Sequence, residues 1–155
     1  MKRFFISAIA LVMFSFGAHA QQATVWQGTM MIGSVTPECV AAGIRRGDRF
    51  FSVFRPANIG TNGTETRVTI NGSRAMARMV IAGQNFVNNG TYTGTHLSSR
   101  GGQTSYTGAF ENVLVIPATF NENRIYVQVN ARYTNFFNNT GCTVFVRTAY
   151  IKRPD

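Results

Sequence analysis

TETRVTINGSRAMARMVI, residues 64–81, alternates polar and apolar side chains on either side of Asn71-Gly72, the dipeptide favoured in two-residue type I′ hairpin turns. Placing the turn there predicts a register in which Ile70 faces Ser73, Val68 faces Ala75, Thr66 faces Ala77 and Thr64 faces Met79. One face is then small or apolar. The other sets Glu65 against Arg78, Arg67 against Met76 and Thr69 against Arg74. A register that sorts apolar from polar groups and pairs opposite charges supports a hairpin, because a one-residue slip would send each side chain to the opposite face.

The same period of two runs outward along the chain. Strands are expected over Ala23 to Ile32, Arg49 to Arg55, Gly90 to Leu97, Gln103 to Phe110, Asn112 to Ile116, Asn123 to Thr134 and Cys142 to Ile151, giving about nine with the hairpin. No stretch beyond residue 20 sustains a helical period, although Val40 to Ile44 can form one helical turn. Phe50 to Phe54 and Val113 to Ile116 carry apolar groups on both faces and read as central strands. The fold class is all-β, a single-domain antiparallel sandwich or small barrel, and the strand pattern alone does not separate the two.

Residues 1–20 read as a cleaved signal peptide: Lys2 and Arg3, an apolar run from Phe4 to Phe16, then Ala18-His19-Ala20. That run is too short to span a bilayer as a helix, and no later stretch approaches the length required. Residues 21–155 then form one exported domain, periplasmic or secreted, and the short basic leader suggests bacterial export. An oxidising destination pairs the two cysteines, Cys39 and Cys142, closing a loop of about 100 residues and tying the start of the domain to its last strand.

The formal charge is +9, and +7 once Lys2 and Arg3 are removed. An exported protein of this charge is suited to anionic envelope lipid, cell-wall polymer or polysaccharide, and nucleic acid is disfavoured as a partner. Arg67, Arg74 and Arg78 project from one face in the predicted hairpin and are the candidate anion-binding residues, since guanidinium forks match phosphate and carboxylate. Arg45, Arg46, Arg132 and Arg147 add charge whose relation to that face depends on the fold. Phe136 and Phe137, flanked by asparagines between the last two strands, are a candidate aromatic contact if exposed and a plug for the end of the fold if buried. Trp26 and Tyr92, Tyr106, Tyr126 and Tyr133 among many Thr and Asn residues would also suit sugar recognition.

The residues point away from an enzyme. His96 is the one histidine after residue 20, no nucleophile elbow surrounds Ser98, Ser99 or Ser105, and neither a metal site nor a cofactor motif is discernible. Glu111 and Glu122 would be the carboxylates of a secreted hydrolase. The leading expectation is a non-enzymatic exported domain that binds an anionic or glycan component. Its alternative is a structural or assembly subunit that joins copies through strand edges or Phe136-Phe137. Sequence leaves the oligomeric state open.

Overall fold

The computed structural model describes residues 23–73, 75–82, 89–118 and 121–153. Residues 1–20, expected to be a signal peptide, and Arg74 lie outside the described residues. Eight strands follow in order: β1 (Trp26–Val35), β2 (Arg49–Arg55), β3 (Glu65–Asn71), β4 (Ala75–Ala82), β5 (Gly90–Ser98), β6 (Gln103–Ile116), β7 (Tyr126–Tyr133) and β8 (Val144–Lys152). Each pairs antiparallel with the next, and β8 returns to β1, so the sheet closes into an up-and-down barrel. The only other elements among the described residues are α1 (Pro37–Ala41) and a 3-10 turn (Phe136–Asn138).

Eight strands replace the expected nine because the segments read as Gln103 to Phe110 and Asn112 to Ile116 are one strand. Between Glu111 and Leu114 the register against β7 shifts, and Asn112 sits in the left-handed region at φ 52°. A bulge of this kind bends a strand without ending it.

The β3–β4 hairpin is present in a different register. Ile70 pairs with Ala77, Val68 with Met79, Thr66 with Ile81 and Thr69 with Arg78, each partner lying four residues further along than Asn71-Gly72 predicts. A type I′ turn needs positive φ at both central residues, and neither Asn71 nor Gly72 has it. The chain instead turns after Gly72, whose amide donates to the Ala75 carbonyl at 2.8 Å. This register sets buried Thr66, Val68 and Ile70 opposite buried Ile81, Met79 and Ala77. The displacement is even, so both faces keep their predicted residues while the pairs change.

The interior is packed. Trp26, Met30, Ile32, Phe54, Val68, Ile70, Met79, Phe110, Tyr133 and Tyr150 are all buried and form one cluster. Two polar groups inside find partners, the Ser52 and Tyr150 hydroxyls sharing a hydrogen bond of 2.8 Å and the Trp26 indole donating to the Arg124 carbonyl at 2.7 Å, whereas the buried Tyr106 hydroxyl has none among the described residues. Across β5 and β6, three successive inward pairs set a glycine against an aromatic ring: Gly90 with Phe110, Tyr92 with Gly108, and Gly94 with Tyr106. Each ring lies over the strand where its partner has no Cβ, an arrangement that lets bulky rings share a narrow lumen.

Outward positions include Arg49 and also Arg67, Arg78, Arg132 and Arg147, the last four each between buried neighbours. Polar groups outside and apolar groups inside are the reverse of a lipid-spanning barrel. No helix among the described residues is long and apolar enough to cross a membrane. A single closed layer has only one buried face, so Phe51, Leu114 and Ile116, expected in doubly covered strands, stand half-exposed on the outer wall.

Cys39 and Cys142 form the expected disulfide, with their Cα atoms 4.5 Å apart. It joins α1 to the connection before β8, and the Thr36 hydroxyl supports the joint by donating to the Gly141 carbonyl at 3.1 Å. Cys142, Val144 and Val146 are all buried on the inward face.

Candidate functional site

The barrel places Arg67 and Arg78 together on the outer wall. Arg67 pairs with Val80 and Arg78 with Thr69, so the two arginines are diagonal neighbours across β3 and β4. Glu65 does not meet Arg78: it faces Ala82, and its carboxylate instead accepts from the Arg67 guanidinium at 2.7 Å. That ion pair is half-exposed at both ends and holds the fork in place more than it stabilises the fold. Arg78 is exposed and has no ion pair among the described residues.

The cluster gains a residue from β2. Arg55 stands directly opposite Arg67 and donates from Nε to the Asn62 side-chain oxygen at 3.1 Å. Local spacing places Arg55 in a strand but cannot join it to the patch, because β2 and β3 are separated by a loop whose geometry sets their register. Like charges directly opposite on a sheet repel. Among the described residues the one carboxylate beside these three arginines, Glu65, pairs with Arg67 alone. Beside them lies an open hollow of about 760 Å³, whose lining includes Arg67, Arg78, Glu65 and the hydroxyl-bearing Thr91, Thr93 and Thr107.

Arg132 and Arg147 lie on β7 and β8, about half a turn round the barrel from β3 and β4, and do not extend this patch. Arg147 shares a groove with Arg46 beside the irregularity in β1, and Arg132 lies 3.7 Å from Glu111. The positive charge therefore falls on two sides of the molecule.

Phe136 is fully buried and Phe137 is only 8% exposed. Their rings meet edge to face at 4.7 Å, and Phe136 stacks on Tyr133 at 6.3 Å, so the pair closes the barrel end. Trp26, Tyr92 and Tyr133 are buried as well and cannot act as an outer sugar platform.

The other candidates separate. His96 points inward and its ring meets Phe137 at 6.0 Å, whereas Ser105 lies on the outer face and the Ser98 hydroxyl accepts from the Gly102 amide. No group of three metal-ligating side chains is found among the described residues. Asp48 caps a turn, accepting from the Arg45 amide at 2.7 Å. The molecule is thus a disulfide-closed, eight-stranded antiparallel barrel with a filled interior and charged outer walls. Comparison with protein families, curated proteins and solved structures finds no significant match.

Proposed function

We propose that this is an exported, non-enzymatic barrel that binds an anionic component of the cell envelope or its surroundings through the wall carrying Arg55, Arg67 and Arg78. The observation that supports this most is the direct Arg55–Arg67 juxtaposition, with Arg78 diagonal to it and only Glu65 to offset the charge. A phosphate or carboxylate seated among the three guanidinium groups would relieve their repulsion and satisfy their donors in the bidentate manner arginine favours. The filled interior directs recognition to the outside of the barrel.

The test is co-sedimentation of the oxidised protein with isolated envelope fractions and with immobilised acidic polysaccharide across a salt series, beside Arg67→Ala/Arg78→Ala. The expected result is binding that weakens with salt and falls about tenfold or more in the double variant. Equal binding by both proteins at every salt concentration would reject this wall as the binding surface.

A second reading rests on a separate observation. Half-exposed Leu114, Ile116, Tyr126 and Ile151 occupy the outer wall over β6, β7 and β8, with Tyr126 directly paired to Ile151. This strip could join copies of the chain into an assembly, a role that strand edges cannot fill in a closed barrel. A sedimentation coefficient that rises with concentration in the native protein and stays monomeric in Ile116→Lys would favour it.

A further inference from the structure

The end of the barrel that carries the disulfide has a second cleft, of about 660 Å³, sharing no lining residue with the Arg67–Arg78 hollow. It opens between the segment after α1 and the β3–β4 turn. Its volume falls within the roughly 300–1,000 Å³ usual for small-ligand clefts, and the mouth of a β-barrel is a common place for one. Two aromatic rings and an imidazole line it: Phe50 and Phe137 lie 5.6 Å apart, tilted by 41°, and His96 meets the edge of Phe137. Its polar lining includes Asp48, Asn71 and Asn139.

The backbone that presents Phe137 is unusual. Phe137 sits in the left-handed region at φ 53° and ψ 36°, as do its neighbours Asn135 at φ 52° and Asn138 at φ 62°. Asparagine visits this region with some ease, whereas a bulky aromatic residue there is an outlier. Several bonds hold it: Asn139 Nδ2 donates to the Phe136 and Phe137 carbonyls, Asn135 Nδ2 donates to the Thr107 carbonyl, and the Gly141 amide donates to Asn135 Oδ1. The adjacent disulfide ties the same connection to α1. A costly conformation fixed by so many partners is characteristic of a site under functional constraint.

The lining has the mixed chemistry that a sugar ring presents. A pyranose has an apolar C–H face that stacks on aromatic carbon and an edge of hydroxyls that needs both donors and acceptors. Half-buried Phe50 supplies the accessible aromatic carbon, and buried Phe137 holds it from behind at 5.6 Å. The half-buried His96 ring and Asn71 amide have no hydrogen-bond partner among the described residues and can supply the polar contacts. Adjacent Asp48 and Arg49 offset one another, so the rim does not select for an anion as the Arg67–Arg78 wall does. We propose that this cleft is a saccharide-binding site, with half-buried Phe50 as the stacking ring, Phe137 backing it from below, and His96 and Asn71 as hydrogen-bonding residues. The proposal does not depend on the anion-binding reading.

The experiment is titration of isotopically labelled, oxidised protein with maltotriose, cellotriose and N-acetylchitotriose, each up to about 10 mM, followed by NMR. At least one sugar is expected to give saturable shifts at the His96 imidazole and the Asn71 side-chain amide. His96→Ala and Asn71→Ala should each weaken that binding about tenfold with the unfolding midpoint unchanged, and Arg67→Ala/Arg78→Ala should leave it intact. The proposal is overturned if none of the three sugars moves the cleft signals, if the shifts fall instead on the Arg67–Arg78 wall, or if both cleft variants bind as the native protein does.

Discussion

At the residue scale, this barrel is held together by the places where a side chain is missing. A Cβ at position 94 would lie 2.2 Å from the Tyr106 ring, and one at position 108 would lie 2.4 Å from the Tyr92 ring and 2.5 Å from the Thr134 carbonyl oxygen. The ring at 94 belongs to a half-buried tyrosine with some room to move, while the carbonyl at 108 is backbone. Gly108→Ala is therefore expected to cost more than Gly94→Ala, both within or above the roughly 1–3 kcal/mol of core overpacking. Gly102→Ala, beside only the Ser98 hydroxyl, should stay within about 0.5 kcal/mol. Urea unfolding of the three variants checks the order, and equal midpoints would refute it. Tyr150→Phe tests polar satisfaction in the same lumen. It leaves the Ser52 hydroxyl buried without its 2.8 Å partner and should lower stability by about 1–3 kcal/mol in the same assay.

At the scale of elements, the disulfide fixes the one end of the barrel where chain segments must be held in an unusual course. Cys39 sits in a helix of five residues, too short to persist alone, and Cys142 follows the turn that buries Phe136 and Phe137. Cys39→Ala/Cys142→Ala is expected to cost about 2–5 kcal/mol, and proteolysis should then cut first within residues 134–143. A variant with native stability and no new cleavage site there would refute this. Both partners were legible in the sequence, since two cysteines permit only one pairing. The strand faces were legible too, because alternation survives any even change of register, and so Arg67 and Arg78 share the predicted face. Pairing was less legible: Asn71-Gly72 carries a strong local preference, and long-range burial of Ile81 against Thr66 outweighed it. Arg55 joined the cluster through the β2–β3 register, and the Phe50–Phe137–His96 cleft through closure of the whole sheet. Neither relation is encoded in local spacing.

At the scale of the molecule, closure buries phenol groups that have water on neither side of the wall. Desolvation raises the pKa of Tyr106 and Tyr150 from 10.0 to about 12, the Ser52 hydrogen bond partly opposing it at Tyr150, and it also pushes Tyr92 and Tyr133 well above the ordinary value. In the unfolded chain these groups lose their protons near the ordinary value, whereas in the barrel they keep them. Above that value the unfolded state binds fewer protons, so stability falls as pH rises. The contribution is complete below pH 10 and is lost as pH climbs toward and past 12, at up to about 1.4 kcal/mol per pH unit for each tyrosine concerned. Denaturant unfolding between pH 8 and pH 12 should thus show a decline that steepens above pH 10, with most tyrosinate absorbance appearing only as the barrel opens. If Tyr92, Tyr106, Tyr133 and Tyr150 instead ionised near pH 10 with native structure intact, their rings would be reachable by water, and the lumen could not be the packed interior that burial of these phenols requires.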